Sequence, residues 1–264
     1  MNKNTIIFLA IAVMALIAVL VGALIWPSDG QNQTAQSQPA QGASLEKLPS
    51  PKLEASVTLK PPTPTNPKTE YVLMSVPFTA QAPLGNWGDL RQEDGCEEAS
   101  ALMAMYWVYD KIFSNPIDTE KEIIAISDYE LKMYGVYEDT SAEDTAKRIF
   151  GGYFHYNNIA VRHNISSDDI KSELLKGNLV IVPVNGQKLR NPYYQQPGPL
   201  HHNIVIKGYD PATKEFITND PGTRHGESYK YAESVLIDAL QDYSTSSQAS
   251  VSYKTTSMII VSKK

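Results

Sequence analysis

The sequence of 264 residues contains a single cysteine, Cys96, which follows Asp94-Gly95 at the start of a segment with helical periodicity. A thiol at the positive end of a helix has a lowered pKa, roughly 3.5 to 7.5, and reacts as a thiolate. A lone cysteine cannot form an internal disulfide, and its alternative interpretation is a small buried hydrophobic residue. Cys96 is therefore a candidate nucleophile if suitable partners exist elsewhere in the chain.

The candidate partners of this thiol lie far downstream, in segments rich in β-forming residues. A nucleophilic cysteine needs a base within hydrogen-bond reach and a third group that orients the base. His201 and His202 begin an alternating apolar strand, and either Asn219 or Asp220, at the end of a neighbouring strand, could orient the ring. A metal cluster of His201, His202 and His225 is the alternative. Its spacing fits no common zinc motif, so the sequence predicts no metal and no cofactor.

The elements that must position these residues are helices followed by strands. Helices are predicted at 96–109 and 116–134, with further helix starts at 141–144 and 166–169. Strands are predicted at 71–78, 179–184, 202–207, 216–218 and 257–261, and the loop 191–198 is expected to border a cleft. This order indicates an α+β fold in which the nucleophile begins a central helix packed on a mostly antiparallel sheet.

The N-terminal part of the chain has a different composition. Residues 1–26 carry an uncharged apolar run long enough for a bilayer, which predicts a signal anchor, with a cleaved signal peptide as the alternative. Residues 27–70 are rich in Gln, Ser, Thr and Pro, which is typical of a disordered stalk. The third predicted domain, 71–264, would then be held outside the membrane, at the cell surface, or secreted if the signal is cleaved.

Four segments resemble the papain-like cysteine peptidases akin to the double-glycine, bacteriocin-leader-processing enzymes. They are Val76-Pro77-Phe78-Thr79-Ala80-Gln81, Cys96 with Ala99-Ser100-Ala101-Leu102-Met103-Ala104, His202 through Gly208-Tyr209-Asp210, and Asn219-Asp220-Pro221. Each segment alone is a weak signal, but the four occur in the family's order across 71–264.

The resemblance implies a papain-like fold and a role for each matching residue. Cys96 would be the nucleophile, His202 the general base, Asp220 the residue that orients it, and Gln81 the oxyanion donor. Gln81 lies farther from the cysteine than in the family, so 84–91 would be an inserted loop and Gln92 is a rival donor. The implied substrate is a peptide or protein.

Charge and sequence also limit the function classes. The net charge of −6, with no basic run interleaved with aromatic residues, gives no reason to expect nucleic acid as a partner. A cell-wall peptide amidase and a non-catalytic peptide-binding or adhesion module remain alternatives to the peptidase. No feature of the sequence predicts an oligomeric state.

Overall fold

The structure is a computed structural model that describes residues 70–246 and 255–263. The predicted anchor, 1–26, and all but the last residue of the predicted stalk, 27–70, lie outside these ranges. None of the helices in the described ranges combines the length and the apolar character that a membrane span requires.

Helices dominate the first part of the described chain, and strands dominate the second. The helices are α1 (Leu90–Glu93), α2 (Cys96–Val108), α3 (Pro116–Tyr134), α4 (Ala142–Asp144, continued by a π-helical segment, Thr145–Tyr153), α5 (Ser167–Leu175), α6 (Gly186–Leu189) and α7 (Glu233–Ala239). The strands are β1 (Val72–Leu73), β2 (Ile159–His163), β3 (Leu179–Val184), β4 (His202–Asp210), β5 (Glu215–Asn219), β6 (Tyr229–Ala232) and β7 (Ser257–Val261). Helix α3 and strands β3 and β7 have the predicted bounds, whereas the strand predicted at 71–78 is reduced to β1.

All seven strands form one antiparallel sheet. Six of them are ordered β2-β7-β3-β4-β5-β6, and β1 pairs separately with β4. The pairing of β4 with β5 sets Val205 opposite Asn219. Because His202 begins β4 and Asp220 directly follows β5, this register brings both residues to the same end of the sheet.

Helix α2 is the central helix and lies against β4. Its residues after the first turn are almost all apolar, and nearly the whole helix is buried, as expected of a helix without a polar face. The Cβ atom of any other residue at Gly95, the N-cap, would lie 2.6 Å from the carbonyl oxygen of Arg91. Glycine at this position therefore allows the chain to turn tightly into the helix that starts with Cys96.

Both faces of the sheet are covered, and this makes the central strands fully buried. In β3, Leu179 and Ile181 pack into the cluster that contains the apolar residues of α2. Val180 and Val182 point to the opposite face and pack with Ile170 of α5. The alternation explains why β3 is a continuous apolar run, and the predicted α+β fold is confirmed.

Candidate active site

The thiol of Cys96 lies at the first position of α2, only 5% exposed, and lines a cleft of about 540 Å³. Its Sγ–H donates a hydrogen bond of 3.0 Å to Oε2 of Glu97. Burial raises the pKa of the Cys96 thiol well above its ordinary value, and the charges of Glu97 and Glu98 raise it further. This direction is opposite to the one that the end of the helix alone predicts.

His202 and Asp220 form a hydrogen-bonded pair in the interior. Nε2 of the imidazole lies 2.8 Å from Oδ1 of the carboxylate, and both side chains are almost completely buried. A Cβ atom at Gly222 would lie 2.9 Å from Cε1 of His202, so the backbone of this glycine packs directly on the ring. The ring is thus held from two sides, with Nε2 facing the carboxylate.

The carboxylate of Asp220 accepts hydrogen bonds from several groups besides His202. The hydroxyls of Tyr194 and Tyr231 each donate to Oδ2 at 2.5 Å, and the Asn191 side chain donates to the same oxygen at 3.3 Å. The backbone N–H of Gly222 donates to Oδ1 at 3.0 Å. Burial works to raise the pKa of Asp220, but the charge of His202 and these hydrogen bonds outweigh it, so the pKa is lowered.

The two alternative residues of the sequence analysis have other contacts. The side chain of Asn219 donates to the carbonyls of Val76 and Pro77, so it fixes the segment before the cleft rather than the imidazole. Nδ1 of His201 lies 3.0 Å from Oδ2 of Asp139, and its ring stacks on Tyr243 at 4.4 Å. His201 does line the same cleft as His202.

The two candidate oxyanion donors differ in their access to the cleft. Gln81 lines it, but Nε2 donates to the backbone carbonyls of Gln92 (2.9 Å) and Glu93 (2.6 Å). Gln92 is fully buried and is not among the lining residues, and within the described chain neither polar atom of its side chain has a hydrogen-bond partner.

The cleft has an acidic and aromatic border. Glu93, Asp94 and Asp139 line it on the side of α1 and α2, and residues 194–202 form the other side, as expected for the loop near 191–198. Burial, together with the neighbouring carboxylates, raises the pKa of Asp94 to about 6. A second cleft of about 500 Å³ adjoins the first, and the two share the lining residues Trp87, Glu93, Gln195 and Gly222.

The histidines of the alternative metal cluster are held by different partners. His225 stacks on Tyr193 at 4.3 Å, whereas His202 pairs with Asp220. Throughout residues 70–246 and 255–263, no three His, Cys, Asp or Glu side chains are grouped as metal ligands.

Cys96 at the start of a helix and His202, which pairs with Asp220 at one end of an antiparallel sheet, line one cleft, and this arrangement is typical of the papain-like class of thiol hydrolases. The chain belongs to the Peptidase_C39 like family, whose model matches residues 73–251, and this membership indicates a cysteine peptidase. A crystal structure of a "putative C39-like peptidase" from Bacillus anthracis is similar, with 13% identity and a TM-score of 0.42 over 74% of this chain and 98% of that one. No curated protein matches the sequence.

Several site residues were missed by sequence reasoning. Tyr194, Tyr231 and Asn191 donate to Asp220, and Tyr243 donates to Glu97. The sequence contains 15 tyrosines, and nothing in their spacing distinguishes the three tyrosines of the site from the others. Glu97 directly follows the nucleophile and can be noticed in the sequence, because a charged residue at the start of an otherwise apolar, buried helix requires a polar partner. The sequence does not indicate that this partner is the thiol itself.

Proposed function

We propose that this protein is a cysteine peptidase that hydrolyses peptide bonds, with Cys96 as nucleophile and His202 as general base. The observation that supports this most is that His202, which pairs with the fully buried Asp220, lines the same cleft as the Cys96 thiol. A buried carboxylate that accepts hydrogen bonds from an imidazole and two tyrosines fixes the ring in one orientation, which general-base catalysis requires.

In the proposed reaction, the carboxylate of Asp220 accepts the Nε2–H of His202, so Nδ1 is the nitrogen with a lone pair. Nδ1 takes the thiol proton, and Sγ of Cys96 attacks the carbonyl carbon of the peptide. When the tetrahedral intermediate collapses, His202 gives this proton to the leaving amine, and a thioester remains. Water, deprotonated by the same ring, then hydrolyses the thioester and restores the thiol.

Stabilisation of the oxyanion would come from the start of α2 and from Gln81. The first N–H groups of a helix have no intrahelical acceptor, so the N–H of Cys96 is suited to donate to the oxyanion. The Gln81 amide would exchange one of its two backbone carbonyl partners for the oxyanion. Gln92 remains the alternative donor, since its amide is unpaired within the described ranges.

The proposed location is outside the membrane. The apolar run in residues 1–26 supports an uncleaved anchor, and the composition of residues 27–70 supports a stalk that separates the peptidase from the lipid.

The decisive experiment uses the full-length protein with fluorescein-labelled casein and, separately, purified peptidoglycan as probes. Casein hydrolysis that is abolished in Cys96→Ala and reduced by roughly 10²–10⁴ in His202→Ala supports the peptidase. Release of peptide stems from peptidoglycan alone supports a cell-wall amidase. Probe binding that is equal in the wild type and Cys96→Ala, without cleavage of either probe, would establish the binding module and refute the peptidase.

A further inference from the structure

The carboxylate of Glu97 is held against the nucleophile by two hydrogen bonds. Oε2 accepts the Sγ–H of Cys96 at 3.0 Å, and Oε1 accepts the hydroxyl of Tyr243 at 2.5 Å. Glu97 is 1% exposed, so neither oxygen is solvated as a surface carboxylate would be. The papain-like mechanism proposed above does not use this residue.

Tyr243 is itself fixed on both sides, which makes the position of Glu97 rigid. The side-chain amide of Asn203 donates to its hydroxyl at 2.8 Å. Its ring stacks on His201 at 4.4 Å, and the other side of that histidine is paired with Asp139. A chain of contacts therefore runs from Asp139 and His201 at the cleft border through Tyr243 to the Glu97 carboxylate.

The charges around this carboxylate are mostly negative. Apart from the thiol and Tyr243, the titratable groups that act on it are Glu98 on α2, Asp94 before it, Glu130 on α3 and Asp139. His201 stacks on Tyr243, and both His201 and His202 line the cleft that the thiol also lines. Burial raises the pKa of Glu97, although the hydrogen bonds from Cys96 and Tyr243 oppose the shift. An ionised Glu97 beside a thiolate would place two negative charges in contact, with little water to screen them.

We propose that Glu97 is the proton-controlled group that sets the ionisation of Cys96, and this rests on the proposed Cys96–His202 pair. As a carboxylate, Glu97 accepts the thiol proton in a hydrogen bond and holds Cys96 in its unreactive form. When Glu97 takes up one proton from water, its O–H donates to Sγ instead. The thiol proton then moves to Nδ1 of His202, and a thiolate–imidazolium pair forms beside a neutral carboxyl group.

The test measures the rate of iodoacetamide alkylation across the pH range in the full-length protein. Because the chain has one cysteine, total alkylation reports Cys96 alone. Glu97→Gln resembles the protonated carboxyl group at every pH. The ratio of the variant rate to the wild-type rate is therefore expected to rise from near one at about pH 5 to about tenfold or more at about pH 8. A ratio that is flat or below one across this range overturns the proposal.

Two further variants distinguish the direct contact of Glu97 with the thiol from the general effect of a buried negative charge nearby. Glu98→Gln removes an equally buried carboxylate, which accepts a hydrogen bond from the Ser127 hydroxyl and not from the thiol. The ratio for this variant should therefore rise much less, and an equal rise overturns the proposal. Tyr243→Phe removes one donor to the carboxylate, so Glu97 keeps its proton to higher pH and alkylation at about pH 8 becomes faster. If Glu97→Gln does not fold, the alkylation rate of Tyr243→Phe at about pH 8 decides alone. A rate that is equal to or slower than that of the wild type then refutes the inference.

His202→Ala distinguishes failure of this inference from failure of the proposed function. If the alanine variant reacts as the wild type does at every pH, there is no Cys–His pair and both proposals fail. If it reacts more slowly while Glu97→Gln gives a flat ratio, the peptidase stands and only the role of Glu97 is refuted.

Discussion

The buried carboxyl group of Glu130 should make the protein less stable as the pH rises. Glu130 lies on α3 with no exposed surface, and within the described chain neither carboxyl oxygen has a hydrogen-bond partner. Burial and repulsion by Glu97, partly opposed by Arg148, raise its pKa from 4.5 to about 9.

The sign and size of this effect follow from proton linkage. Between the two pKa values the folded protein holds a proton that the unfolded chain has lost, so the free energy of unfolding falls with rising pH. At about pH 7.5 the loss is up to about 4 kcal/mol, because the pH is then about three units above the unfolded pKa. The stabilising effect of protonation is fully present below 4.5 and is lost as the pH approaches about 9.

Glu130→Gln removes this pH dependence and keeps a side chain of the same shape. We expect equal unfolding free energies for variant and wild type at about pH 5 and a variant more stable by about 2–4 kcal/mol at about pH 7.5. Urea unfolding, followed by tryptophan fluorescence, measures both values. The exposed Glu227→Gln serves as control and should follow the wild type. Parallel pH profiles for Glu130→Gln and wild type would refute the reasoning, since Glu130 would then be ionised in the folded protein.

Two predictions concern the His202–Asp220 pair. Gly222→Ala places a Cβ atom 2.9 Å from the imidazole and should displace the ring. Casein hydrolysis should therefore fall by about tenfold or more, while the circular dichroism spectrum stays unchanged. Full activity of the variant would show that the imidazole can accommodate the added methyl group. Tyr231→Phe removes a 2.5 Å hydrogen bond to Asp220, which should raise the pKa of that carboxyl and lower the free energy of unfolding by about 1.5–3 kcal/mol in urea titration at neutral pH. An unchanged free energy would mean that Tyr194 and Asn191 satisfy the carboxylate alone.

Strong local patterns made much of the fold predictable. Helix α3 was predicted with its observed bounds because Asn115 caps its start and accepts from the N–H of Ile117, Pro116 is its first residue, and Gly135 ends it with a φ of 81°. The apolar runs of β3 and β7 were equally clear. Strand β2 was missed because it is short and mostly exposed. The π-helical segment Thr145–Tyr153 was missed for a different reason, since the spacing of apolar residues does not distinguish a π-helical turn from an α-helix.

The sequence predicted which residues form the candidate site, but it did not predict the direction in which the pKa of Cys96 is shifted. The order of Cys96, His202 and Asp220 along the chain indicated which groups would meet, and the structure brings the last two into contact. The helix dipole alone predicted a lowered thiol pKa. The opposite shift arises from burial and from the direction in which Glu97 points, and both depend on tertiary packing.

The position of β7 constrains when the catalytic domain can assemble. This strand, Ser257–Val261, lies between β2 and β3 in the interior of the sheet, although it comes last among the described elements. Until the ribosome has released it, β2 and β3 have no partner between them, and β2 remains separate from the rest of the sheet. A nascent chain therefore carries Cys96 and His202 before β7 completes the sheet.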